Sequence, residues 1–368
     1  MSICDLAPGY IRDIAPYQPG KPISELAREM GLDEAGIIKL ASNENPLGAS
    51  PLARRAIESA VADLARYPDG NGHCLKQALS RRHGVPAQRI VLGNGSNDVL
   101  EMSARAFLSP GMEAVYSQHA FAVYPLAAQS AGATGVEVPA QDYGHDLGAM
   151  RRAITGRTRL AFIANPNNPT GTMAGARALE EFIAAMPPEV LVVLDEAYNE
   201  YIPEALRPDS IGWLARYPNL VVTRTFSKVY GLAGLRVGYA FAAAGVADLM
   251  NRVRQPFNVN SIALAAATAA LEDSDFVRRS FELNCLGMRQ VTEGLKRLGL
   301  QFIPSYGNFV SFQVMDAAAI FQRLLAAGVI VRPVASYGMP QHLRVTIGLE
   351  SENARFLDSL KRALASKD

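Results

Sequence analysis

Cysteine is scarce in this sequence. Cys4, Cys74 and Cys285 are all it has, an odd number with no metal-ligand spacing. That count suits a reducing, cytoplasmic compartment and argues against a disulfide scaffold. Net charge is equally scarce: 36 Lys and Arg against 35 Asp and Glu leave +1. A chain so balanced has no electrostatic footprint for nucleic acid or an anionic membrane. No uninterrupted apolar run approaches the roughly 18–20 residues a membrane helix needs. The opening MSICDLAPGYIRDIAPYQPGK has no basic segment leading into an apolar block, so no secretory signal is expected. Low-complexity tracts and obvious repeats are missing too. What is present is 368 residues, 49% hydrophobic and 19% charged, an ordinary globular balance. That length suits about two domains and a core large enough for an internal cofactor site.

The chain changes character twice. Residues 1–40 read as an N-terminal arm and part of a small domain, with helical spacing in ISELAREMGL (23–32). From 41 to 255, short β-rich runs alternate with helical stretches: RIVLG (89–93), EAVY (113–116), TGVEV (134–138), RLAFIA (159–164), VLVVLD (190–195), NLVVT (219–223) and RVGYAF (236–241). Several are continuously apolar, as strands buried on both faces are. Such alternation predicts an α/β fold, a mostly parallel sheet between two layers of helices. Residues 256–368 begin with one long helical region. Strands NFVSFQV (308–314), GVIVRP (328–333) and HLRVTIG (342–348) follow, and a closing helix completes a smaller α/β domain. In an open α/β sheet the chemistry sits at the carboxyl ends of the strands, here in the cleft between domains.

Four strand-end loops stand out. GNGSND (93–98) opens a helix whose free N–H groups could bind phosphate. Asp98 stands where a dinucleotide fingerprint has its third glycine, so alone the loop reads as readily as a plain strand–helix turn. NPNNPTG (165–171) is a rigid turn or a platform for the Asn168 amide. In LDEAYNEY (194–201), Asp195 ends a buried strand, and a carboxylate there needs a cation or donors. A helix cap would explain it; a metal would not, since no His/Cys/Asp cluster lies near. TRTFSKVYGLAGLRVG (223–238) places Lys228 and Arg236 after the next strand. A lysine there ordinarily keeps its head in water. The ordered set of amide, buried acid, amine and guanidinium suits one ligand, pyridoxal 5′-phosphate. That cofactor has an aldehyde for an amine, a ring nitrogen for a carboxylate, a phenolate for donors and a phosphate for cations.

On these motifs the chain resembles the fold-type I aminotransferases that depend on pyridoxal phosphate. The resemblance runs from PYQPGK (16–21) to the C-terminal helix. IIKLASNENPLGASP (37–51), RYPDGNGHCLKQAL (66–79), NPNNPTG, VVLDEAY and TFSKVYGLAGLRVG carry it. The combination of NENPLG, YPDG and GLAGLR is similar to the histidinol-phosphate aminotransferase branch.

That resemblance implies roles. Lys228 would form the Schiff base and carry the proton transfer. Asp195 would pair with the ring nitrogen, and Asn168 and Tyr198 would hold the phenolate oxygen. Gly95, Ser96, Asn97, Ser227 and Arg236 would hold the phosphate, with Tyr67 reaching it from the other subunit of a homodimer. Phe121 would stack on the ring, although SQHAFAVY replaces the family's Pro-Thr-Tyr or Pro-Thr-Phe lead-in. Arg344 would bind the carboxylate of the acidic partner, and Arg332 and Tyr17 the phosphate of the amino donor. Asn43 and Asn45 would shape the cleft mouth. The implied reaction is ping-pong transfer from L-histidinol phosphate to 2-oxoglutarate, with no metal. The same scaffold also serves aromatic-amino-acid or arogenate aminotransferases and threonine-phosphate decarboxylases. A regulator that only binds the cofactor would need an added DNA-binding domain, for which the first twenty residues leave no room.

Overall fold

The computed structural model describes residues 2–365. Its larger sheet has seven strands in the spatial order Ile90–Gly93, Gly238–Phe241, Leu220–Thr225, Leu191–Asp195, Thr158–Ala164, Glu113–Ser117, Thr134–Val138. Gly238–Phe241 is antiparallel to both neighbours, and the other six run one way. Each of the seven falls on a run expected to be a strand.

Side chains alternate across a pleated strand, and the burial pattern obeys this closely. Leu191 and Val193 join one hydrophobic cluster with Leu160, Phe162 and Val221. Val192 and Leu194 join the cluster on the opposite face with Ala161, Ile163 and Val222. The sheet is therefore the middle of three layers, covered on both sides. Fully burying one such aliphatic side chain contributes about 1.5–3 kcal/mol. Continuously apolar strands are what two covered faces require.

Helix ends follow local chemistry. The long helical region expected after residue 256 is two helices, Ser261–Leu271 and Ser274–Arg297. Asp273 interrupts it: its backbone leaves helical geometry, and its side chain accepts the Phe276 N–H at 3.2 Å as a new N-cap. The first of these helices, expected with the small domain, instead buries Ala263, Ala266 and Ala270 in the large-sheet core. Alanines leave room for close approach to the helix Pro51–Ala60, whose Ala53 joins the same cluster.

The second layered unit is smaller. Phe309–Gln313, His342–Thr346 and Arg332–Pro333 form an antiparallel sheet, with Arg332 opposite Arg344. The expected single strand GVIVRP divides, because Val329–Ile330 pairs in parallel with Ile38–Lys39 instead. Leu40, Phe312, Val345, Phe356 and Leu360 make its core. Ser311 donates to the Pro169 carbonyl at 2.6 Å, bringing this sheet against the NPNNPTG loop. The strand ends of the large sheet and one face of the small sheet thus meet across a cleft. Among the described residues no helix is long and apolar enough to cross a membrane.

Candidate active site

One cleft gathers most of the residues singled out above. Lys228, Asp195, Tyr198, Asn168 and Asn43 line it. So do Ser96, Asn97, Ser227, Arg236, Phe121, Arg344, Arg332 and Tyr17. Three expected residues lie elsewhere. Gly95 sits just behind the wall as the helix N-cap. Asn45 is buried, its amide donating to the Val229 carbonyl at 2.7 Å and to Ser280 at 2.8 Å, so it braces the lysine loop from below. Tyr67 is 83% exposed and stacks on Phe257 at 4.9 Å, outside the cleft of its own chain.

Asp195 is the last residue of its strand and faces the cleft nearly fully buried. Its Oδ2 accepts from the Tyr124 hydroxyl at 2.8 Å and its Oδ1 from Thr223 at 3.0 Å. Burial pushes its pKa up, and these two hydroxyl donors oppose the shift. Among the described residues none of its partners is a cation. A buried carboxylate without a counter-ion is costly, and this one faces open space.

Lys228 follows the neighbouring strand and is half-buried. Its Nζ donates to the Ser42 carbonyl at 3.1 Å and lies 5.6 Å from the centre of the Tyr198 ring. Burial first, then the Arg344 guanidinium, lowers its pKa to about 7. An appreciable share of this amine is therefore neutral, and nucleophilic, in neutral water. Tyr198 accepts from the Asn43 amide at 2.8 Å, and burial raises its phenol to about 12. Asn43 holds its place through a backbone N–H donated to Thr346 at 2.9 Å.

Arg344 rises from the middle of the small sheet into the cleft. Its guanidinium donates to Asn168 Oδ1 and to the Ala41 carbonyl, while its Nε is buried with no partner. Burial lowers its pKa. No carboxylate answers it among the described residues, so it is a ready anion receptor. Arg332 lies one strand over, donating to the Gln18 carbonyl and sitting 5.7 Å from the Tyr17 ring.

At the other end, the helix Ser96–Phe107 starts in the cleft without a side-chain cap. Its first N–H groups are open to an anion. Arg236 lies beside it, donating to Ser227 Oγ at 3.3 Å. Two glycines make this crowding possible. A Cβ on Gly95 would lie 2.6 Å from Arg236 Nη2, and one on Gly238 would lie 2.4 Å from the Ser96 nitrogen. Asp98 does not oppose an anion here. It turns away, accepting from the Asn94 N–H at 2.9 Å and from Asn258 at 2.7 Å.

These groups fit pyridoxal phosphate on the structure's own terms: a buried acid without a cation, a neutral-prone amine, and an uncapped helix start beside an arginine. Comparison with known proteins agrees. The sequence profile of the family described as aminotransferase class I and II matches residues 35–360. The chain belongs to the class I and II aminotransferases. Histidinol-phosphate aminotransferase 2 of Nitrosospira multiformis is 62% identical over 100% of this chain and 94% of its own. Histidinol-phosphate aminotransferase of Methylobacillus flagellatus is 63% identical over 99% and 98%. The crystal structure of histidinol-phosphate aminotransferase from Sinorhizobium meliloti, in complex with pyridoxal 5′-phosphate, superposes with a TM-score of 0.89. It is 30% identical, over 97% of this chain and 96% of that one.

Sequence reasoning about this aminotransferase missed Tyr124, Thr223 and Tyr337. Tyr124 and Tyr337 line the cleft, and Thr223 touches Asp195 from the next strand. Thr223 carries a signal in hindsight, since it is the polar residue that ends the apolar run Leu220–Val222, in register with Asp195. Tyr124 carries a weaker one, as the second aromatic of AFAVY after the strand Glu113–Ser117. Tyr337 sits in a 3₁₀ turn that no local pattern flags.

Proposed function

We propose that this chain is a pyridoxal-phosphate-dependent aminotransferase that moves the amino group of L-histidinol phosphate to 2-oxoglutarate, giving imidazole acetol phosphate and L-glutamate. The observation that carries the chemistry is the meeting of Lys228 and Asp195 in one cleft. The substrate rests on the full-length relatives of 62% and 63% identity. When bound, the cofactor supplies an electron sink that no side chain can provide.

The protein's own residues do the rest. Ser96, Asn97, Ser227 and Arg236, with Gly95 at the helix start, hold the phosphate. Asp195 would hold the ring nitrogen and favour its protonated form. Tyr198 and Asn168 would hold the phenolate oxygen, and Phe121 would lie against the ring. Lys228 would hold the aldehyde end and would move the proton at the substrate Cα. Arg344 receives the carboxylate of 2-oxoglutarate and glutamate, while Arg332 and Tyr17 receive the phosphate of the amino donor. Both substrates use one site in turn, so the kinetics are ping-pong.

The enzyme works as a homodimer in the cytoplasm, with Tyr67 completing the partner's phosphate site. The exposed apolar side chains Val61, Leu64, Tyr67 and Phe257, of which the last two stack on each other, support this pairing. The test is a direct one. Purified protein with pyridoxal phosphate and 2-oxoglutarate is offered histidinol phosphate, phenylalanine and tyrosine separately. A kcat/KM at least about ten-fold higher for histidinol phosphate, about 1.4 kcal/mol in the transition state, is expected. Preference for the aromatic amino acids would overturn the substrate and leave the chemistry standing.

A further inference from the structure

Tyr124 is a side chain that the reading above leaves without a task. Its ring is fully buried, stacked on Phe162 at 4.8 Å with the planes 2° apart. Its edge meets Phe121 at 5.9 Å. Its hydroxyl donates to Asp195 Oδ2 at 2.8 Å, while Thr223 donates to Oδ1 at 3.0 Å from the neighbouring strand. One rigid tyrosine therefore touches both the residue assigned to the ring face and the residue assigned to the ring nitrogen.

We infer that Tyr124 is a positioning residue for the reaction: with Thr223 it clamps Asp195 as an aimed carboxylate and keeps that carboxylate less basic than its apolar surroundings alone would make it. The inference rests on the pyridoxal-phosphate reading. A carboxylate that accepts two hydroxyl hydrogen bonds is less basic than a bare one in the same apolar surroundings. In a pair with a ring nitrogen, a weaker base leaves the shared proton on the ring, where it supports the electron sink. Other groups act on Asp195 as well. The Ala197 N–H donates to it, and Glu196 stands next to it but is turned to the other sheet face against Arg224. Tyr198 and Lys228 lie across the cleft, close enough for charge on Asp195 to act on both.

The test compares the parent, Tyr124→Phe and Thr223→Val as full chains. Each is measured for pyridoxal phosphate affinity, for the pH titration of the bound cofactor's visible band, and for kcat and KM. Tyr124→Phe keeps the stacked ring and removes only the hydroxyl. Its cofactor Kd is expected to rise, and its kcat to fall, by about ten- to hundred-fold, the range for a hydrogen bond to a charged group. The band's midpoint moves upward, since a less positive ring leaves its substituents more basic. KM for the amino donor stays nearly constant. A purely structural role would lower thermal stability without moving the band. If Tyr124→Phe matches the parent within about two-fold in Kd and kcat, with an unmoved band, the assignment is overturned. Should that variant not accumulate as folded protein, Thr223→Val decides the matter by the same readings at the other oxygen. If the parent itself takes up no pyridoxal phosphate, the functional reading falls and this assignment with it. If the parent loads and the variants equal it, only this assignment falls.

Discussion

Asp195 and Glu196 are adjacent acids at one strand end, both buried, and they lead opposite lives. Pleating sends Asp195 to the cleft side and Glu196 to the other face of the sheet. Their neighbours on the next strand, Thr223 and Arg224, are sorted the same way. Glu196 therefore meets Arg224, accepting from Nε at 3.0 Å and Nη2 at 2.8 Å. Burial alone would lower the Arg224 pKa, but Glu196 beside it drives the net shift upward. Asp195 meets two hydroxyls and no cation. Glu196 is satisfied inside the fold. Asp195 has no counter-charge among the described residues. The same contrast separates Arg224 from Arg344, whose Nε is buried and unpartnered. Burial of charge, then, does not distinguish a site from a scaffold here; the absence of an internal counter-charge does.

Substitutions sharpen this contrast when taken from the largest effect downward. Lys228→Ala removes the amine on the cleft side. Turnover should fall by about 10⁴-fold, the upper end for a lost general base, and the visible absorbance of the lysine-bound cofactor should vanish. Normal multiple turnover by this variant would refute the lysine's role. In the parent, cofactor uptake by cofactor-free protein should quicken as pH rises through about 7, because only the neutral form of Lys228 attacks an aldehyde. Next comes the scaffold pair. Arg224→Met strands a buried Glu196 and should cost about 3–5 kcal/mol of stability. A lowered denaturant midpoint at an unchanged m-value would show it. Arg344→Gln removes a cation that has no carboxylate partner among the described residues. The KM for 2-oxoglutarate should rise about ten- to hundred-fold, with a smaller change in kcat for the histidinol phosphate half-reaction. An unchanged KM would mean that Arg344 belongs with Arg224, as structure.

The sequence made the large sheet legible because both its faces are covered. Unbroken apolar runs such as VLVVLD and NLVVT have few alternatives to a buried strand. It was less informative where pairing depends on distant partners. GVIVRP reads as one strand, yet Ile38–Lys39 claims its first half and His342–Thr346 its second. Likewise, one Asp at 273 divides a helix that composition alone would continue. In the cleft, residues whose proposed roles lie in their own chemistry were visible: an amine and an acid at strand ends, and the guanidiniums of Arg236, Arg332 and Arg344. Tyr124 was not, since a buried tyrosine in a helix reads as core. Only the fold reveals that its hydroxyl reaches an oxygen 71 positions away.

The smallest predicted effect is the one that divides the two acids most sharply, because its sign reverses. Asp195→Asn removes a charge that the cofactor-free fold holds without a cation. Burial raises the Asp195 pKa above its ordinary value of 3.8, so between that value and the raised one the folded chain binds more protons than the unfolded chain. Stability from this group therefore falls as pH rises through that window and stays reduced above it. The Asn variant escapes the loss. Without cofactor at neutral pH it should be more stable than the parent by roughly 0.5–2 kcal/mol, the usual gain when a strained functional group is relieved. The advantage should disappear below pH 3.8, where the parent's carboxyl is protonated in both states. Glu196→Gln, which breaks a satisfied pair, should instead lose stability at neutral pH. Urea melts of the two variants at neutral and acid pH measure both signs. If both substitutions destabilise the cofactor-free protein at neutral pH, Asp195 is held as firmly as Glu196. Its carboxylate would then be part of the scaffold, whatever else occupies the cleft.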